Sequence, residues 1–237
     1  MKTTSLILTA SLLLSGALFG DAAVIARWTF ETSPPGPVNN STTFGPISAD
    51  EGMGTASGVH TSGGTDWIAQ VGNGSATSMS ANMWNVGDYF QFRVSTVGWS
   101  DIRLSWDQTS SSDGPRHFVL QYSTDGTTFT QFGSQYTVQQ NLFPNSWNAS
   151  THLSAYSHSV DLSSVTAVNN APDVYFRLVD NSTTSADGNI VGPGGTTRID
   201  NFTVVPEAHH YALFCALGLI GIAAGKEIRR RQGTSDR

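Results

Sequence analysis

Short runs of alternating apolar and polar residues recur along the chain between residues 23 and 206, and turn-forming residues separate them. In the run 89–94 the side chains of Phe90, Phe92 and Val94 share one face of a strand, because strand side chains alternate. Eight such runs predict strands at 25–30, 89–94, 102–106, 117–122, 128–132, 156–162, 174–179 and 198–204. No helical period competes with them, so we predict an all-β domain over residues 23–204, an antiparallel β-sandwich of the jelly-roll type.

The alternation also predicts which side chains form the core. These are Phe90, Phe92, Leu104, Trp106, Phe118, Leu120, Tyr122, one of Tyr175 and Phe176, Leu178 and Phe202. A turn is expected at Asp125-Gly126, since this pair favours hairpin turns. Two stretches rich in Gly, Ser, Thr and Asn, 32–82 and 181–197, are interpreted as long polar connections.

The N-terminal segment has the three parts of a secretory signal. Lys2 is followed by an apolar run over 6–19 and then by the small residues Gly20-Asp21-Ala22. We therefore predict a signal peptide over 1–22 and export of the mature chain. A buried N-terminal helix is the alternative.

The C-terminal segment has a second apolar run, 211–225, which carries no charge. With residues 208–210 it is long enough to predict a transmembrane helix over about 208–225. The basic cluster Arg229, Arg230 and Arg231 follows, and such clusters stop transfer on the cytoplasmic side. A buried C-terminal helix is the alternative.

The C-terminal order of features resembles the PEP-CTERM sorting tail of Gram-negative bacteria. Val205-Pro206-Glu207 matches the start of that motif, although Ala208 replaces its second proline. The resemblance implies an exosortase-type membrane protease as partner and transient anchoring in the inner membrane through the C-terminal helix. Release or transfer to the cell surface or extracellular matrix would follow. The β-rich body also resembles uncharacterised exported bodies that accompany this tail.

Charge and cysteine content exclude several functions. The formal net charge is −6, and between residues 23 and 206 six arginines and no lysine stand against fourteen Asp and Glu, a net charge of −8. Such a body has no basic footprint for nucleic acid. The single cysteine, Cys215, lies in the C-terminal apolar run, so the body forms no internal disulfide.

Catalytic motifs for serine hydrolases, zinc proteases and phosphate-binding loops are absent from the sequence. The body histidines His60, His117, His152 and His158 are interpreted as polar surface residues. A carboxylate pair on the long connections would suit glycoside hydrolysis, which keeps a secreted hydrolase as an alternative.

Two binding sites are hypothesised. Glu31 follows the first strand and Asp200 lies in the last, and the terminal strands of a sandwich are often neighbours, so these carboxylates are candidate ligands for Ca²⁺. Trp67 and Trp84 are candidate platforms for a sugar ring, because indole presents a large apolar face.

Taken together, these features predict an exported, non-catalytic β-sandwich at the cell surface or in the extracellular matrix, with exopolysaccharide as its ligand. The alternatives are a carboxylate-dependent glycoside hydrolase and a purely structural matrix protein.

Overall fold

The computed structural model describes residues 23–207, which form strands, turns and two single-turn 3-10 helices, Ser154–Tyr156 and Thr166–Val168. In chain order the strands are β1 (Ala26–Trp28), β2 (Thr43–Ser48), β3 (Glu51–Gly52), β4 (Gly54–Val59), β5 (Trp67–Gln70), β6 (Ser78–Ala81), β7 (Tyr89–Val94), β8 (Ile102–Ser110), β9 (His117–Ser123), β10 (Thr130–Thr137), β11 (Gln139–Gln140), β12 (Ser157–Asp161), β13 (Val174–Asp180) and β14 (Thr197–Pro206).

These strands form two sheets. The six-stranded front sheet has the order β10-β9-β13-β7-β4-β2, and its neighbouring strands are antiparallel. The eight-stranded back sheet is built around β8 and β14, and it is antiparallel except for the short pairing of β11 with β8. The predicted all-β architecture of two antiparallel sheets is confirmed.

The core lies between the sheets and joins them through aromatic rings. Phe92 of the front sheet stacks on Phe202 of the back sheet with ring centroids 3.6 Å apart, and the edge of Trp28 meets Phe92 at 5.1 Å. All three side chains are fully buried. The predicted core is confirmed, with Phe176 rather than Tyr175 facing inward and Tyr122 partly buried against the core.

Each of the eight predicted strands is present, with shifts at several ends. The interpretation of 32–82 as a long polar connection is wrong, because β2 to β6 lie within it. Of these, β2, β4 and β6 are rich in Gly, Ser and Thr, so they lack the apolar alternation that marks the others.

The first and last strands are neighbours, as expected: Ala26 pairs with Val204 and Trp28 with Phe202. Further back along β14 the partner is β6, with Ile199 opposite Met79. A bulge separates these two pairings, and Asn201 there has a φ of 52°. Backbone N–H groups beside such a switch lack ladder partners and need side-chain acceptors.

The predicted body boundary after residue 204 lies inside β14, which continues through Pro206. The signal peptide (1–22), the transmembrane helix (208–225) and the basic cluster Arg229, Arg230 and Arg231 lie outside the described residues. Across residues 23–207 the chain has no helix with the length and apolar character needed to cross a membrane.

Candidate functional site

Asp200 lies at the β14 bulge and is fully buried. Its Oδ2 accepts hydrogen bonds from the Asn73 amide at 2.8 Å and the Ser75 hydroxyl at 2.6 Å, and its Oδ1 accepts from the Asn201 amide at 2.7 Å. Burial raises the pKa of Asp200 to about 7 despite these donors. Asp200 therefore anchors the segment between β5 and β6 to the back sheet.

Glu31 holds the same segment four residues further on. Its Oε1 accepts hydrogen bonds from the Thr77 amide at 2.7 Å and the Thr77 hydroxyl at 2.9 Å. The structure thus brings Glu31 and Asp200 to one loop, where N–H and O–H donors meet these oxygens. Among residues 23–207 no three His, Cys, Asp or Glu side chains are grouped to hold a metal ion. The calcium hypothesis itself stays a prediction.

Trp67 and Trp84 are core residues. Their exposed fractions are 0% and 4%, and their indole N–H groups donate to the backbone carbonyls of Ser41 at 2.9 Å and Ala81 at 2.8 Å. His60 contacts both rings, with centroids 4.5 and 4.2 Å away. The prediction that these indoles stack on a sugar is wrong, because neither presents a free face.

His60 also departs from the surface role expected of it. Its side chain is buried, and burial lowers its pKa to about 3. It is therefore a neutral core residue at physiological pH.

The outward surface of the front sheet provides a different site. The inward positions of β7, β9 and β13 fill the core, so the alternate positions point outward. We call this surface the Arg177 face, defined by Tyr89, Gln91, Gln121, Phe129, Tyr175 and Arg177. None of these six side chains is fully buried.

Strand register sets a polar row across this face. Arg177 of β13 lies directly between Gln91 of β7 and Gln121 of β9, and the row continues to Ser57 on one side and Gln131 on the other. Side chains at opposed positions on neighbouring strands are close enough to act together. The row therefore offers amide, hydroxyl and guanidinium groups in a line that crosses five strands.

Aromatic rings flank this row on both sides. Tyr89 lies opposite Val179, two residues beyond Arg177 along β13, and Tyr175 lies two residues before it. Tyr175 is partly exposed, and Arg93, paired with Asp173 at 2.6 Å, sits 5.6 Å from its ring. The Arg177 face thus combines ring surfaces with hydrogen-bonding groups.

The turn at Gly126 supports the Tyr175 ring. Gly126 has a φ of 72°, and a Cβ there would lie 3.0 Å from Tyr175 Cζ. Asp125 closes the turn by accepting hydrogen bonds from the Thr127 and Thr128 amides at 2.8 and 2.7 Å. The Asp-Gly signal in the sequence therefore positions a ring of the face.

The sequence contains part of the signal for this site. Assigning Phe90 and Phe92 to the core places Tyr89, Gln91 and Arg93 outward by alternation alone. What alternation cannot supply is the register that sets Arg177 between two glutamines.

No protein-family model matches the chain, and no curated protein matches it. Among the solved structures that the chain matches is the CBM22-2 xylan-binding domain from Paenibacillus barcinonensis Xyn10C, with 11% identity over 77% of this chain and 99% of that one, at a TM-score of 0.43. The K2 cleaved adhesin domain of Lys-gingipain has 13% identity over 76% of this chain and 96% of its own, at 0.39. TmCBM61 in complex with beta-1,4-galactotriose has 10% identity over 76% and 94%, at 0.34. Such low scores define neither a family nor a ligand for this chain.

Proposed function

We propose that this protein is an exported, non-catalytic β-sandwich that binds carbohydrate through the Arg177 face. The observation that supports the proposal most is the polar row through Gln91, Arg177 and Gln121 with aromatic rings on both sides. Sugar rings have apolar faces edged by hydroxyl groups, so a ring beside amide groups matches both parts of their surface.

The location of the carboxylates favours binding over hydrolysis. A glycosidase needs two carboxyl groups that reach the scissile bond. Two close acidic pairs lie inside the fold: Asp88 and Asp180 are each 1% exposed, while Asp107 and Asp200 are 3% and 0% exposed. The exposed pair Asp161 and Glu207 shares an ion pair with Arg103. A polysaccharide cannot reach the two buried pairs without unfolding of the surrounding strands.

The proposed route to the cell surface rests on the sequence of the tail. Val205-Pro206-Glu207, the apolar run after it and the basic end would direct the chain to an exosortase-type protease in the inner membrane. Val205 and Pro206 also belong to β14, opposite Arg103 and Ile102. Processing would therefore take place at the edge of the folded body.

Carbohydrate binding is tested with the full chain in a neutral detergent on a polysaccharide array, with calorimetry on any positive polymer. We expect Tyr175→Ala and Gln91→Ala to weaken binding at least tenfold. Trp99→Ala removes an aromatic residue of 39% exposure outside the face and should leave binding within twofold. Melting curves confirm that each variant is folded.

Two results would contradict the proposal. Failure to bind any polymer would support a structural matrix protein. Release of product from chromogenic glycosides, unaffected by Tyr175→Ala, would support the hydrolase.

A further inference from the structure

Arg177 lacks a carboxylate partner, unlike the other arginine on the front sheet. Arg93 pairs with Asp173 at 2.6 Å, and in the back sheet Arg27 pairs with Glu51 and Arg103 with Asp161 and Glu207, each at 3.1 Å or less. No ion pair involves Arg177 among residues 23–207. Arg116 and Arg198 also have none there, but neither touches the rings of the Arg177 face.

Rings approach Arg177 from both sides of β13. Its Cζ lies 3.9 Å from the centroid of Tyr89, which comes from β7, and 3.4 Å from that of Phe129, which precedes β10. Its Nε donates a hydrogen bond to Gln91 Oε1 at 2.8 Å. The rings fix the guanidinium plane and Gln91 occupies Nε, which leaves the edge with the two terminal amino groups for a ligand.

This charge is partly desolvated and surrounded by neutral groups. Burial lowers the pKa of Arg177, yet a guanidinium stays charged at any physiological pH. The adjacent positions of the row are the amides of Gln91 and Gln121, and beyond them lie Ser57 and Gln131. The guanidinium of Arg177 is therefore a partly buried cation that has no carboxylate partner among residues 23–207 and lies beside the proposed sugar-binding surface.

We infer that the Arg177 face selects acidic polysaccharides, and that the terminal amino groups of Arg177 donate two hydrogen bonds to the carboxylate of a uronic acid unit. The planar fork of a guanidinium matches a carboxylate in this way. The inference rests on the proposed carbohydrate-binding function and adds the class of sugar.

The net negative charge of the body opposes the binding of acidic polymers. With a net charge of −8 between residues 23 and 206, the body repels polyanions at long range. Binding to an acidic polymer must therefore come from a local site.

The test compares one polymer in two forms. Alginate and polygalacturonate are titrated against the full chain in neutral detergent, and so are the same polymers with their carboxyl groups reduced to alcohols. We expect the acidic forms to bind at least tenfold more tightly. Arg177→Met should abolish this preference while retaining weak binding to the reduced forms. Arg103→Gln, which removes a paired arginine from the back sheet, should preserve it.

Each failure has its own signature. Equal binding of the acidic and reduced polymers would overturn the inference and leave the proposed function standing, whereas no binding to either would overturn both. If Arg177→Met and Arg103→Gln lose the preference for acidic polymers equally, the preference comes from net charge and the inference is wrong. Dextran sulfate that binds as tightly as alginate would replace carboxylate recognition by a general preference for anions. Arg177→Lys, which keeps the charge but not the fork, provides a folded comparison if Arg177→Met proves unstable.

Discussion

Asp88 and Asp180 form a buried acidic pair whose two carboxyl groups differ in their hydrogen bonding. Asp88 accepts bonds from the Thr61 and Asn85 amides at 2.8 and 2.7 Å, whereas Asp180 Oδ2 has no partner among the described residues. Burial, and then the charge of Asp88, raise the pKa of Asp180 to about 7. Asp180 therefore holds a proton below neutral pH.

We predict that Asp180→Asn stabilises the protein above pH 7. A carboxyl group whose folded-state pKa exceeds its ordinary value of 3.8 favours folding as pH falls from about 7 toward 4, and this contribution is lost as pH rises through 7. The amide cannot ionise, so its advantage over the wild type should be roughly 1–3 kcal/mol at pH 8 and should shrink by pH 5. Urea unfolding at both pH values measures it. An advantage that does not change with pH would contradict the raised pKa.

A second prediction asks whether hydrogen-bond donors alone, or also a bound Ca²⁺, stabilise the buried carboxyl group of Asp200. Asp200→Ala leaves the amides of Asn73 and Asn201 without their acceptor, so we expect a loss of about 1–3 kcal/mol in EDTA. Melting the wild type in EDTA and then in millimolar Ca²⁺ tests the predicted metal site. An upward shift that Asp200→Ala and Glu31→Gln both remove would establish calcium there. Identical melting temperatures in EDTA and in Ca²⁺ would contradict the calcium site. The carboxyl groups would then be stabilised by their hydrogen-bond donors alone.

At the scale of elements, the strands found by sequence alternate large apolar residues with polar ones, whereas the missed strands β4 and β6 carry mainly small residues. In β4 the inward position Gly58 faces the ring of Trp67, and a Cβ there would lie 2.2 Å from it; at Gly54 the ring of Trp28 would lie 2.7 Å away. The indoles come from the back sheet and fill space that β4 leaves empty. Alternation of apolar residues cannot reveal such a strand, because the bulk that complements it lies elsewhere in the chain.

The same limit applies to the site. With Leu178 in the core, alternation is consistent with an outward Arg177, but its position between Gln91 and Gln121 depends on the registers of β7 and β9 with β13. Trp67 and Trp84 are candidate sugar platforms by residue type alone, whereas in space the rings of Phe44 and Phe90 pack against Trp67. The local sequence pattern therefore predicts which side chains of a strand point inward, but it does not predict which strands pair or in which register.

Gly58→Ala tests this packing. Its φ is not positive, so the cost comes from the Trp67 ring, and overpacking should destabilise the protein by about 1–3 kcal/mol. Gly63→Ala is the matched control, since no atom lies within 4 Å of its Cβ position. Thermal melting compares the two. Equal stabilities would mean that the indole relaxes freely, contrary to a close-packed interface between the sheets.

At the scale of the whole molecule, residues 23–207 contain their own core, and the last strand ends with specific contacts. Pro206 is buried opposite Ile102, the Glu207 amide donates to the Asp101 carbonyl at 2.7 Å, and the Glu207 carboxylate pairs with Arg103 at 2.6 Å. The first residues of the predicted sorting motif therefore also complete the sheet.

We predict that a chain ending at Glu207 folds and remains soluble, and that one ending at Val205 folds with about 1–2 kcal/mol less stability. The shorter chain loses one hydrogen bond, the burial of Pro206 and an exposed ion pair of small value. Urea unfolding and size-exclusion chromatography measure the two. Aggregation of both chains would support the alternative of a C-terminal helix buried in the body.

The polar row through Arg177 crosses the strands of the front sheet, so a polymer bound along it would run across the sheet from one edge toward the other. Under the proposed function, such a polymer could pass from one copy of the protein to the next. Many weak contacts along one polymer would then retain it far longer than a single copy could. The number of copies per unit area would therefore govern retention more than the affinity of one Arg177 face.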